Sequence, residues 1–208
     1  GQGTRGTSLA AQLDARHDTE KQDTLLTWAA RHGQAEAVRL LIEGGASVGA
    51  ADSGGATALL LASEGGHVDC ARLLLEASAA VNRAADGGVT PLFIACETGQ
   101  LECAQLLLEA GAAIEQPMDD GVTPLSAASF NGEIECVRLL LEAGAAVNQA
   151  CNDGATPLFA ACHYGHLEVA KLLSSYGASR AATPFGTPEE VANRRGHADL
   201  AAWLVASR

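Results

Sequence analysis

Thr24, Thr57, Thr90, Thr123 and Thr156 follow one another at intervals of 33 residues, and Gly33, Gly66, Gly99, Gly132 and Gly165 keep the same interval. So do the pairs Leu40-Leu41, Leu73-Leu74, Leu106-Leu107, Leu139-Leu140 and Leu172-Leu173. Three residue types in fixed phase over such a period restrict the chain to an array of small units, each too small to bury its own apolar face and each completed by its neighbours. A sixth unit follows with Thr187 and Gly196, both two residues short of register. One loop has lost two residues there and the helices have kept theirs.

Within a unit the local signals agree. Thr90-Pro91-Leu92 places a hydroxyl at an N-cap and proline at the first helical position, where its missing N–H costs nothing. Leu92, Ala95 and Cys96 then share one helical face, and Gly99 supplies the left-handed residue that stops the helix after about two turns. A second helix is expected from Leu101-Glu102 to Gly111, turning Leu106 and Leu107 inward. An extended Ala112-Ala113-Ile114 and a turn at Asp119-Asp120-Gly121 lead to the next Thr-Pro. The expected fold is all-α: stacked helix-turn-helix units with projecting fingers resembling β-hairpins.

The segments Thr90-Pro91-Leu92-Phe93-Ile94-Ala95, Thr123-Pro124-Leu125-Ser126-Ala127-Ala128, Thr156-Pro157-Leu158-Phe159-Ala160-Ala161 and Gly165-His166-Leu167-Glu168 resemble the ankyrin repeat family. The resemblance runs over residues 23–208, divided as units 23–55, 56–88, 89–121, 122–154 and 155–186 and a cap at 187–208. Residues 1–22 stand outside the repeat and are expected to cap the first unit's apolar edge. The resemblance implies a solenoid whose first helices and fingers form a concave partner-binding side. It also implies that His67, His166 and His197 brace the turn between helices.

Several positions depart from that pattern. The signature histidine at the fourth position is replaced by Thr27, Leu60, Phe93, Ser126 and Phe159, and the first two units lack the proline. Ser78 stands where the other units carry Gly45, Gly111, Gly144 and Gly177, so a serine must adopt a left-handed backbone at about 1 kcal/mol. Thr187-Pro188-Glu189-Glu190 reads as a capping box. Asn82 and Asn148 sit where the resemblance implies possible asparagine hydroxylation, but Ala80 and Ala146 replace the acidic residue expected two positions earlier.

Charge and composition narrow the function. Thirteen Lys and Arg against 25 Asp and Glu give a net charge of −12, which repels a phosphate backbone, so no nucleic-acid partner is expected. The apolar runs are too short to span a bilayer, so no membrane partner is expected either. Cys70, Cys103 and Cys136 share a column with Val169 and read as small buried hydrophobes, which points to an intracellular chain with reduced thiols. Neighbours in that column stand about 10 Å apart, beyond the roughly 7 Å between Cα atoms that a disulfide spans. Cys151, on a finger, is expected to be the exposed thiol. His163 and His166 have metal-compatible spacing but no third ligand nearby, and no nucleophile, base or phosphate loop is assembled. No cofactor, no metal and no enzymatic activity are expected.

The columns of the concave side are more informative. One runs Thr27, Leu60, Phe93, Ser126, Phe159. A second, one turn on, runs Arg31, Glu64, Glu97, Phe130, His163, and the third runs His32, Gly65, Thr98, Asn131, Tyr164. Three of only four Phe residues thus fall in two neighbouring columns of units three to five. With small Ser126 between Phe93 and Phe159, and Phe130, His163 and Tyr164 beside them, these positions describe a notch with aromatic walls. Glu97, Asp119, Asp120 and Asp153 supply an acidic rim. Such a notch suits a basic or amphipathic peptide. The alternative reading of Phe93 and Phe159 is packing between helices in place of the family histidine. The expected function is a monomeric protein-interaction scaffold or adaptor module, the alternatives being a receptor for a small organic cation or methylated lysine and a targeting domain of a larger enzyme. The first Met is Met118, so the chain is expected to be a piece of a longer protein.

Overall fold

A computed structural model describes Asp14 and residues 23–207; the expected N-terminal cap otherwise lies outside the described residues. Twelve α-helices form six pairs, and the described residues contain no β-strand. The inner helix of each pair is short, from Leu25–Arg31 in the first unit to Pro188–Arg195 in the sixth, and the outer helix, such as Leu101–Glu109, has nine residues.

Each inner helix starts where the sequence places it. Thr24, Thr57, Thr90, Thr123, Thr156 and Thr187 have extended backbones, and each hydroxyl accepts the N–H three residues on. At Thr187 the Glu190 carboxylate also accepts the Thr187 N–H at 2.9 Å, completing the capping box. Outer helices carry no side-chain cap and take their start from the turn glycine.

The turn glycines are required twice over. Gly132 has φ of +80°, and a Cβ there would lie 2.5 Å from Nδ1 of His166. That ring belongs to the next unit, and its Nε2 bonds the Phe130 carbonyl at 2.8 Å. His67 reaches the Arg31 carbonyl and His197 the His163 carbonyl in the same way. The bracing is therefore between units: each ring ties the inner helix of the preceding unit to the outer helix of its own.

Side chains at the unit joints are small. Ala29, Ala30, Ala62, Ala95, Cys96, Ala128, Ala161 and Cys162 are all buried, so inner helices approach closely, while outer helices touch their neighbours more sparingly. Closer packing on one side curves the stack toward the inner helices. Leu74, Leu107, Leu140 and Leu173 fill the joint between the layers. The first member of each leucine pair differs from expectation: Leu106 is half-buried and Leu40 is 54% exposed, because consecutive helical residues point about 100° apart and only one can face the core.

The fingers also differ. Each closes one tight turn, as in Met118 N–H to Val122 O and Cys151 N–H to Ala155 O, both 2.9 Å, but continues no ladder of its own. The fingers bond sideways instead: Asp86 N–H to Gly54 O, Asp119 N–H to Gly87 O and Asn152 N–H to Asp120 O, at 2.9 to 3.0 Å. Behind them Asn82 accepts the Ala113 N–H, Glu115 the Ala146 N–H and Asn148 the Ser179 N–H. Asn82 and Asn148 thus have a structural role joining successive units. At the far end Arg180 donates to the Leu204 carbonyl and the Ser207 hydroxyl and lies over the Trp203 ring, closing the last outer helix. No helix among the described residues is long and apolar enough to cross a membrane.

Candidate partner-binding groove

The inner helices of the fourth and fifth units, Pro124–Asn131 and Pro157–Tyr164, and the fingers before them enclose a groove of about 550 Å³. Of the ten side chains singled out in the sequence, nine line it: Phe93, Glu97, Asp120, Ser126, Phe130, Asp153, Phe159, His163 and Tyr164. Asp119 does not. Its carboxylate turns back toward Gly88 of the preceding finger, where a Cβ would meet Oδ1 at 3.2 Å.

Aromatic rings form one connected row along the groove. Phe130 and Tyr164 have centroids 4.0 Å apart, Tyr164 and His163 4.7 Å, His163 and Phe159 5.6 Å, and Phe159 and Phe185 5.0 Å. Phe130, Tyr164 and Phe185 are each at least 40% exposed, so part of each side chain is open to solvent. Phe93 behaves otherwise: it lines the groove but is only 2% exposed, which fits packing among the inner helices, whereas Phe159 is half-buried. Ser126 is 4% exposed, with its hydroxyl held by Thr123 and its N–H on the same Thr123 oxygen.

The carboxylates are preorganised. Asp120 accepts the Val122 N–H at 3.0 Å and Asp153 the Ala155 N–H at 2.9 Å, which fixes each at its finger tip. Burial and the neighbouring Glu64 carboxylate hold the Glu97 carboxyl above its ordinary pKa. Burial, aided by Arg195 and His197, lowers His163. Cys151 is half-buried in the groove wall rather than exposed on its finger. Burial raises its thiol pKa against a lowering contact from Ser126.

Other groove residues were not singled out from the sequence. Met118, Val122, Asn152 and Ala155 come from the fingers, whose irregular backbone offers no periodicity to read. Phe185, the fourth Phe, and Arg194 line a separate hollow beside Phe159 and His163; moving the His163 column by 33 less two residues lands on Arg194. On the outer face Arg39–Glu36, Arg138–Glu135 and Lys171–Glu168 form ion pairs three residues apart, all solvent-exposed. Among the described residues no three His, Cys, Asp or Glu side chains gather as a metal site would require.

The comparisons with known proteins agree with this architecture. A family model described as ankyrin repeats (3 copies) matches residues 6–85, 26–118 and 80–151, and one described as ankyrin repeat matches 153–183. The crystal structure of the human ASB11 ankyrin repeat domain is similar, with a TM-score of 0.81 and 32% identity over 88% of this chain and 83% of that one. A search of curated proteins found no match. With capped helix pairs stacked in register and family matches along nearly the whole repeat region, this chain belongs to the ankyrin repeat family, whose domains are general protein-interaction modules.

Proposed function

We propose that this chain is a non-enzymatic docking module that binds a basic or amphipathic segment of a partner protein in the groove of units three to five. The observation that carries this reading is the placement in one trough of exposed aromatic side chains and of carboxylates that bridge to no cation among the described residues. A ring face attracts a cation through its quadrupole, and desolvation in a groove strengthens that attraction to roughly 2 kcal/mol. The chain's net charge of −12 adds steering toward a basic partner. Stacked units hold the trough rigid, so binding orders few protein side chains and loses little affinity to that cost.

A peptide-display library screened against the immobilised chain tests the reading. Peptides carrying Lys or Arg beside apolar residues are expected to be enriched. Asn131→Trp should weaken them at least tenfold by filling the groove from its exposed rim. It avoids Ser126, where a large side chain would break the Thr123 cap. Asp120→Asn with Asp153→Asn keeps both finger-tip hydrogen bonds and removes only charge, so a several-fold loss that disappears in high salt is expected. Binding indifferent to all three substitutions would place the site elsewhere.

A further inference from the structure

The column one turn into the inner helices reads Arg31, Glu64, Glu97, Phe130, His163, Arg194 once the sixth unit's shift is applied. Its two ends are not equivalent. Arg31 is neutralised by Asp23 at 3.1 Å and Asp52 at 3.0 Å. Arg194 meets only the Phe185 carbonyl, at 3.3 Å, and neither Arg194 nor Arg195 bridges to a carboxylate among the described residues. Both arginines are exposed, and they line a second hollow of about 190 Å³ with Phe159, His163 and Phe185. Phe159 and His163 line the main groove as well, so the two hollows adjoin at these side chains. A basic last turn also suits a helix dipole, but that accounts for the charge and not for its opening onto the aromatic row.

We propose that the trough reads two charges on one extended partner segment: a Lys or Arg over Glu97 and Asp120, and an Asp or Glu about nine residues away over Arg194 and Arg195. This rests on the docking reading above and adds its polarity. The spacing follows from three unit steps of about 10 Å between Glu97 and Arg194, spanned by an extended chain at about 3.3 Å per residue. An extended occupant fits the volumes, because a helix 10–12 Å across and as long would need a trough several times larger.

The same display library, with peptides fused at their C-termini so that no free carboxylate is offered, is selected against the wild-type chain and against Arg194→Gln/Arg195→Gln. Arg138→Gln on the outer face serves as the charge control. The wild-type pool should carry an acidic position roughly nine from the basic one, in one chain direction. Those peptides should lose three- to tenfold in affinity on the double variant and nothing on the control, with the difference shrinking at high salt. Arg194→Glu/Arg195→Glu should select a base where the wild type selects an acid. A pool that is basic and apolar, has no acidic position and ignores the arginine variants would overturn the two-charge reading while leaving the docking groove standing. A pool unaffected by Asn131→Trp, or no enriched pool at all, would overturn both.

Discussion

Ser78 shows how one residue can be out of keeping with its fold. Its φ of +64° is the only positive value at a non-glycine position among the described residues. Ser78→Gly relieves about 1 kcal/mol of backbone strain, which for a chain of this size should raise Tm by roughly 2–4 °C in a thermal melt. Two glycines separate strain from collision. Gly144 and Gly132 both have positive φ, but a Cβ at Gly144 meets nothing within 4 Å and one at Gly132 strikes the His166 ring. Gly132→Ala should therefore destabilise by clearly more than the roughly 1 kcal/mol expected of Gly144→Ala, as denaturant titration would show. Glu97 gives a pH signature. Its raised pKa means that the folded state holds the proton more tightly than the unfolded chain, so stability falls as pH rises through that window and returns as pH drops below it. Glu97→Gln should stabilise the chain at pH 7 by no more than about 0.5 kcal/mol, solvent screening at this partly exposed group keeping the effect small, and change nothing near pH 3, as thermal melts at the two pH values would show. Thiol chemistry follows burial: Cys151 should be alkylated first in the native chain. Cys162, pushed up to about 12 and buried, should react only on unfolding, as mass spectrometry after maleimide labelling would report.

At the scale of helices and fingers, much was legible because caps and stops are chemical. A threonine hydroxyl three residues before an N–H, a proline at the first helical position and a left-handed glycine each specify a backbone geometry, and all six inner helices begin where their threonines put them. Thr123→Ala should cost about 1 kcal/mol through the lost cap, and rather more than the same change at Thr90 or Thr156, because Thr123 also holds the Ser126 hydroxyl. The fingers were less legible. Beyond the one bond that closes each turn, their bonds run to the adjacent finger, so a single unit read alone does not show what holds a finger in place. Asp119 shows the same sideways link: next to Asp120 in sequence, it faces the preceding finger while Asp120 faces the groove. Columns identify which residues share a face; the depth of each side chain, as in buried Phe93 against exposed Phe130, depends on how closely neighbouring helices approach.

Over the whole molecule, stability and function divide between the two sides of the stack. Outer helices are joined to inner ones by a continuous aliphatic layer, and histidines tie the second, fifth and sixth units to the one before, so units bury their apolar faces against adjacent copies. The inner side keeps an unsatisfied surplus: aromatic side chains partly open to solvent, carboxylates that bridge to no cation among the described residues, and two arginines at the far end. The direct measurement is a chemical-shift map of the chain on titration with the most enriched display peptide. The account predicts shifts concentrated on Phe130, Phe159, Tyr164 and the finger tips at Asp120 and Asp153, extending to Arg194. Shifts confined to the outer helices, with those groove resonances unmoved, would contradict it.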